Sequence, residues 1–215
     1  MTPFEPGSAA DTLLPLVYGN VPMADWGADG NDDGEPWSSF AHARHLYDSG
    51  ETEEAVDIWL GVASREGIES RQVLQAWYFL RQVGHQPPPN VAKLALGVVA
   101  EVPMDDVHDL LAAYGDGSAR YLNHAGGASV VEPGGLVGAE EAITDWLAVG
   151  QVLANGIGPW DQPALPVLAP GHLRVMVLTP SGPHFGQGQY DALSGDTRVQ
   201  AFLGAASVLL QLIAG

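Results

Sequence analysis

The 215-residue chain contains no cysteine and only one lysine, Lys93. Without cysteine there can be no disulfide bond, no thiolate zinc site and no cysteine nucleophile. Eight basic residues stand against 26 acidic ones, which gives a formal net charge of −18. Proteins that bind nucleic acid use Lys and Arg to replace the counterions on phosphate, and anionic membranes attract the same residues. We therefore expect neither a nucleic-acid partner nor a membrane partner.

The sequence also lacks the short motifs of several enzyme classes. It has no G-x-S-x-G nucleophile elbow and no G-x-x-x-x-G-K-[ST] phosphate loop. Its longest apolar run, residues 199–214, is interrupted by glycine and polar residues and is shorter than the roughly 20 residues of a membrane-spanning helix. The N-terminus is acidic and has no basic region of the secretory type, so the expected location is the cytoplasm.

The acidic residues are concentrated at the front of the chain. Residues 1–70 hold 14 Asp and Glu and two Arg, whereas residues 71–215 hold 12 acidic and six basic residues. An acidic region of this kind keeps a protein soluble, and it also offers a surface to a cationic partner or a metal ion.

Residues 38–103 are predicted to form a helical region after an irregular acidic segment, residues 1–37, that is rich in Gly and Pro. Within it, Gly50 is followed after five positions by Ala55 and after four more by Trp59. This spacing resembles the middle of a tetratricopeptide-type helical hairpin, and the next helix-ending glycine, Gly84, lies 34 residues after Gly50, which is the period of that family. The resemblance implies helical hairpins over about residues 38–83.

The last predicted helix of this region covers residues 90–99, with apolar residues at helical spacing and Pro103 after its end. From residue 104 the pattern changes to short β-like runs separated by Gly-rich turns. The order helix, hairpin, helix, hairpin, helix predicts an α+β fold with a roughly five-stranded antiparallel sheet packed with helices. This order is similar to that of roadblock/longin-like and profilin-like domains.

One acidic loop matches half of a calcium-binding motif. Asp29, Asn31 and Asp33, followed by Gly34, agree with the first half of the D-x-N-x-D-G calcium loop. The bidentate Glu expected at the twelfth position is replaced by Phe40. The ligand set is incomplete, so the two interpretations are an acidic loop without metal, and therefore no cofactor, or a weak calcium site.

Other candidate positions are aromatic, small or titratable. Three tryptophans, Trp26, Trp37 and Trp160, are predicted to lie in loops, and they are candidate interface anchors. Gly204 and Ala205 belong to a small-residue patch in the last helix, where a second copy of the chain could pack closely to form a homodimer. His124 and His184 both flank turns in the β half, and their proximity would favour acid–base catalysis.

These observations favour a non-enzymatic adaptor or interaction protein that presents an acidic surface to a protein partner. The first alternative is an acidic inhibitor or immunity-type protein that neutralises a basic partner. The second alternative, from a different class, is a small enzyme that uses histidine and carboxylates.

Overall fold

The computed structural model describes residues 9–26, 34–162 and 164–215. It shows an α+β protein in which helices precede a six-stranded antiparallel sheet. The α+β class and the order of the two parts confirm the prediction, although the sheet has six strands and not five.

The front of the described chain is helical. It consists of α1 (Ala9–Tyr18), α2 (Trp37–Asp48), α3 (Thr52–Ala63) and α4 (Ser70–Gln82). Gly50 adopts a φ of 87° between α2 and α3, a left-handed conformation that favours glycine. Ala55 and Trp59 are fully buried where α3 packs on its neighbours, and a reciprocal capping box between Glu69 and Gln72 begins α4.

The sheet contains every strand that was predicted and one more. The strands are β1 (Gly97–Met104), β2 (Val107–Tyr114), β3 (Ala119–Leu122), β4 (Ala128–Val131), β5 (His172–Thr179) and β6 (Gly182–Gln189). Their spatial order is β4-β3-β2-β1-β5-β6, and all neighbours are antiparallel. Three further helices complete the fold: α5 (Ala139–Gly156), α6 (Tyr190–Leu193) and α7 (Thr197–Ala214).

Helices cover both faces of the sheet. On one face, α5 and α7 pack together over Val98, Val175 and Val177, with Trp146 and Phe202 in edge-to-face contact. On the other face, Val17 and Tyr18 of α1 and Leu74 of α4 pack against Met176 and Leu178. Alternate residues of the central strands therefore enter two different cores, which is why these strands read as continuous apolar runs.

Three hydrogen-bonded contacts fasten the helical layer to the sheet. The Tyr114 hydroxyl donates to the Val17 carbonyl over 2.7 Å. The Ser70 backbone N–H donates to the Asp116 carboxylate over 2.6 Å, and the Asp116 N–H donates back to the Ser70 hydroxyl. Arg81, at the end of α4, donates to a backbone carbonyl of the β5–β6 turn. These contacts join the helical layer to the sheet at three separate places.

Two predictions of local structure are wrong. Residues 97–99, assigned to a helix over residues 90–99, begin β1, the strand that pairs with both β2 and β5. The apolar run around Val98 is compatible with the spacing of a buried helix and with that of a buried strand. In the structure it forms a strand because it pairs with a neighbouring strand on each side. The segment interpreted as irregular, residues 1–37, contains α1, whose Pro15 was taken for a turn signal.

Candidate functional site

An acidic surface lies on α3. It consists of Glu51, Glu53, Glu54 and Asp57, and all four side chains are exposed. None of them forms an ion pair within the described part of the chain. The acidic residues cluster at the N-terminus of α3, where the helix dipole favours negative charge. We call this set the acidic α3 surface.

Two partly exposed aromatic side chains lie on α2 in the same helical layer. Tyr47 is 38 % exposed, and its ring centroid lies 6.1 Å from that of the buried Trp59 of α3. Trp37, also 38 % exposed, stacks on Trp26 with 5.5 Å between ring centroids. Aromatic residues held rigidly at a surface are typical anchors of protein interfaces.

The three tryptophans assigned to loops have different surroundings. Trp26 is half-buried and packs edge-on against Phe79 in the helical core. Trp37 is the first residue of α2 and not a loop residue. Trp160 is half-buried, and its indole N–H donates to the Ala164 carbonyl over 2.9 Å while its ring contacts Phe185.

The calcium-type residues Asp29, Asn31 and Asp33 lie outside the described residues. In residues 9–26, 34–162 and 164–215, no group of three or more His, Asp or Glu side chains is arranged to hold a metal ion.

The two candidate histidines do not share a pocket. The imidazole Nδ1 of His124 lies 2.7 Å from the Asp109 carboxylate beside the β3–β4 turn. His184 is in β6, four strand-to-strand steps from β3, which corresponds to about 19 Å at the usual strand spacing. The geometry therefore does not supply the two-histidine pocket that the enzyme alternative requires.

Asp109 is the hydrogen-bonding centre at the β3–β4 turn. It accepts hydrogen bonds from the Tyr121 hydroxyl over 2.6 Å and from the His124 backbone N–H over 2.7 Å. Burial opposes ionisation of Asp109, but these hydrogen bonds hold the pKa of its carboxyl below the usual value. Burial, together with the bond to Asp109, raises the pKa of Tyr121 to about 12. These contacts order the turn.

His184 is fully buried and connects β6 to the end of α5. Its Nδ1 lies 2.9 Å from the Ile157 carbonyl and its Nε2 3.2 Å from the Ser181 hydroxyl. Since a carbonyl can only accept, Nδ1 carries the proton and Nε2 accepts from Ser181. Burial lowers the pKa of His184, and the nearby Lys93 ammonium acts in the same direction. These two hydrogen bonds of His184 fix the β5–β6 turn.

The C-terminal helix presents the predicted small-residue patch in part to solvent. Gly204 is exposed, whereas Ala205 is half-buried against the core formed with α5. The helix has 18 residues and a mean hydropathy of 1.4, so by length and composition it could cross a membrane. The prediction that this segment is too short and too interrupted for a membrane-spanning helix is therefore wrong by length and composition. Phe202 and Leu209 pack fully into the core, although only 22 % of this helix is buried.

A cleft that the sequence did not predict lies between α4 and the β5–β6 turn. Its volume is about 360 Å³. It is lined by Tyr78 and Arg81 of α4 and by Trp160, Ser181 and Gly182. The remaining lining residues are Tyr18, Gly19, Asn20, Leu74, Gln82, Gln86, Pro159, Asp161, Gln162, Leu165, Met176, Leu178, Thr179 and Pro183. We call this the α4–β6 cleft.

Comparison with known proteins gives no relative. No protein-family model, no curated protein and no solved structure matches the chain. The function is therefore inferred from the surface of this chain alone.

Proposed function

We propose that this protein is a non-enzymatic interaction protein whose acidic α3 surface binds a basic protein partner. The observation that supports the proposal is the set of four exposed carboxylates on α3 that have no cationic partner among the described residues. The tetratricopeptide-type resemblance of α2 and α3, carried by Gly50, Ala55 and Trp59, agrees with a role in binding proteins.

The charge pattern supports a cationic partner. Uncompensated carboxylates on a protein of net charge −18 create a negative potential that attracts basic surfaces and accelerates their association. Tyr47, at the end of α2 that leads into α3, supplies apolar area near the charges, which is needed because exposed ion pairs alone contribute little affinity. The same surface would serve an inhibitor or immunity-type protein, and the activity of the captured partner distinguishes that role from an adaptor.

Affinity capture from a lysate of the source organism tests the proposal. The bait is the whole chain, as wild type and as the α3-neutral variant Glu51→Gln/Glu53→Gln/Glu54→Gln/Asp57→Asn. A basic protein should be enriched on wild type at low salt, lost on the α3-neutral variant and released by about 0.5 M salt, because screening weakens exposed charge pairs.

A second variant of equal charge controls for net charge. Glu140→Gln/Glu141→Gln/Asp145→Asn/Asp191→Asn removes four exposed acidic residues from α5 and α6 and leaves α3 unchanged. This variant should capture the same protein as wild type. Equal capture by the α3-neutral variant would refute the proposal.

Self-association through α7 is a separate proposal that rests on the exposed Gly204. Light scattering on wild type and Gly204→Leu measures it. A dimer should dissociate when the larger side chain prevents close approach, whereas a monomeric wild type would contradict the proposal.

A further inference from the structure

Arg81 differs from the other six arginines of the chain. Each of the others has a carboxylate within 4.0 Å: the pairs are Arg44–Asp48, Arg65–Glu35, Arg71–Glu69, Arg120–Glu132, Arg174–Glu101 and Arg198–Asp196. Arg81 has none among the residues that the structure describes, although the chain holds 26 acidic residues. An unpaired guanidinium is unexpected in so acidic a protein.

The guanidinium of Arg81 is held in place from two sides. Its Nη1 donates to the Pro180 carbonyl, and its Cζ lies 6.0 Å from the centre of the Tyr78 ring. Gly182 lies next to it, because a Cβ at that residue would be in ordinary van der Waals contact with the Arg81 Cζ, at 3.9 Å. Gly182 has a φ of 116°, which disfavours any residue with a side chain. The charge is therefore fixed at the wall of the α4–β6 cleft.

The other donors of Arg81 have no acceptor among the residues that the structure describes. In the described part of the chain, Pro180 is the only acceptor that Arg81 contacts. Its other nitrogens are not among the buried polar atoms that lack a partner, so they remain accessible to solvent. Arg81 is one of the residues that line the cleft. At least part of the planar N–H fork is thus available to an occupant.

Burial makes an anionic occupant favourable. Desolvation lowers the pKa of Arg81 to about 10, so the side chain is still charged at neutral pH. A largely desolvated charge is costly without an opposite charge or a full set of hydrogen bonds. A carboxylate would supply both, and the fork geometry of a guanidinium matches its two oxygens.

The rest of the cleft limits the size and character of the ligand. A volume of about 360 Å³ lies at the lower end of the range for small-molecule sites. Asn20, Gln82 and Gln86, which carry side-chain amides, and the aromatic residues Tyr78 and Trp160 line the same cleft. The one carboxylate in the lining, Asp161, is exposed and accepts from Gln162. These groups suit a ligand that has three parts: a carboxylate for Arg81, an amide for the side-chain amides, and an aromatic ring for Tyr78 and Trp160.

We propose that the α4–β6 cleft binds a small organic acid, whose carboxylate is held by Arg81 and whose apolar part lies against Tyr78 and Trp160. The proposal is independent of the acidic α3 surface, so either can fail without the other.

NMR titration of the whole, ¹⁵N-labelled protein tests it. The probes are acetate, benzoate and N-benzoylglycine, and the neutral control is N-benzoylglycinamide. N-benzoylglycine should shift the indole N–H signal of Trp160 and the amide signals of Ser181 and Gly182, with a Kd on the order of millimolar for so small a ligand. The neutral amide should bind about tenfold more weakly or worse. Phenylphosphonate is included, and tighter binding of phosphonate than of any carboxylate would overturn the choice of ligand.

Variants assign the binding to Arg81. Arg81→Gln should weaken the binding of N-benzoylglycine about tenfold, whereas Arg198→Gln, which removes the same charge at the exposed start of α7, should leave it unchanged. Because Arg81 also bonds to Pro180, Gln86→Glu provides a test that keeps this contact. A carboxylate placed in the cleft should weaken probe binding at least fivefold, and Gln86→Ala should not. No saturable shift at 20 mM with any carboxylate probe, or equal binding by Arg81→Gln, would overturn the proposal.

Discussion

Arg174 and Glu101 form an ion pair inside the sheet, between the neighbouring strands β5 and β1. The Nη1–Oε1 distance is 2.9 Å, and the two residues are only 4 % and 6 % exposed. Arg174 also donates to the Gln187 side chain and to the Pro166 carbonyl. Its hydrogen bonds therefore fasten both the edge strand β6 and the loop before β5 to the centre of the sheet.

Removing one partner of this pair should destabilise the protein strongly. Glu101→Gln or Arg174→Met should each lower the free energy of unfolding by about 3–5 kcal/mol, because a buried charge is left without its counter-charge. Urea unfolding followed by circular dichroism measures the effect. The double variant Glu101→Gln/Arg174→Met should lose clearly less than the sum of the two single losses, because the pairing energy between the two side chains is then removed only once. Additive losses in the double variant would contradict a direct pairing energy.

Two glycines in helices should respond in opposite ways to alanine. A Cβ at Gly150 of α5 would lie 2.5 Å from the Val98 Cγ1, so Gly150→Ala should destabilise the protein by about 1–3 kcal/mol through overpacking. At the exposed Gly204 of α7, no atom lies within 4 Å of the added Cβ. Gly204→Ala should therefore stabilise by about 0.5–1 kcal/mol, the gain in helix propensity. Thermal unfolding compares the two, and a stabilised Gly150→Ala would show that α5 does not lie close to β1.

Stability should decrease as the pH falls from 7.5 to 5, partly because of His184. Burial holds the pKa of His184 below its unfolded-state value of about 6.5, so the unfolded chain binds more protons between the two pKa values. The contribution of neutral His184 to the stability of the fold is complete above about pH 6.5. It is lost as the pH falls toward the lowered pKa of His184 in the folded protein. The groups that face the imidazole are the Ile157 carbonyl, the Ser181 hydroxyl and the Lys93 ammonium.

Urea unfolding at pH 7.5 and 5.0 measures this effect. His184→Gln should lose less stability than wild type over this interval, and His42→Gln, at an exposed position of α2, controls for the loss of one imidazole. The carboxyl of Asp196, whose pKa is lowered to about 2 by its bonds with Arg198, titrates below the interval. An unchanged pH dependence in His184→Gln would contradict the assignment.

Local signals predicted most of the elements. The hairpin β5–β6 was visible because the continuous apolar run of β5, which is rich in valine, ends directly at a Pro180–Ser181 turn, and α5 because its acidic residues precede an apolar face. The strand β1 was not recognised from the sequence. Its residues 97–100 are buried on both faces of the sheet. A strand that is buried on both faces has no period of two and cannot be distinguished from a short buried helix by pattern.

The α4–β6 cleft was missed because its lining comes from four separate parts of the chain. Arg81 and Trp160 were assigned to a helix face and to a loop, and only the tertiary structure brings them together. One signal was available in the sequence: no Asp or Glu lies between Glu69 and Glu101, so Arg81 has no local acidic partner on its helix. In a chain with 26 acidic residues, an arginine without an acidic residue nearby in the sequence is a candidate for binding an anionic ligand.

The central claim is that the acidic α3 surface binds a basic partner, and the affinity for the captured partner tests it most directly. Isothermal titration calorimetry at 50 and 200 mM salt measures Kd for wild type, the α3-neutral variant and the variant with four charges removed from α5 and α6. We predict that the α3-neutral variant loses roughly tenfold to a hundredfold in affinity and that its Kd depends less on salt, because four exposed charges are removed from the interface. Equal Kd values and equal salt dependence for all three proteins would contradict the claim.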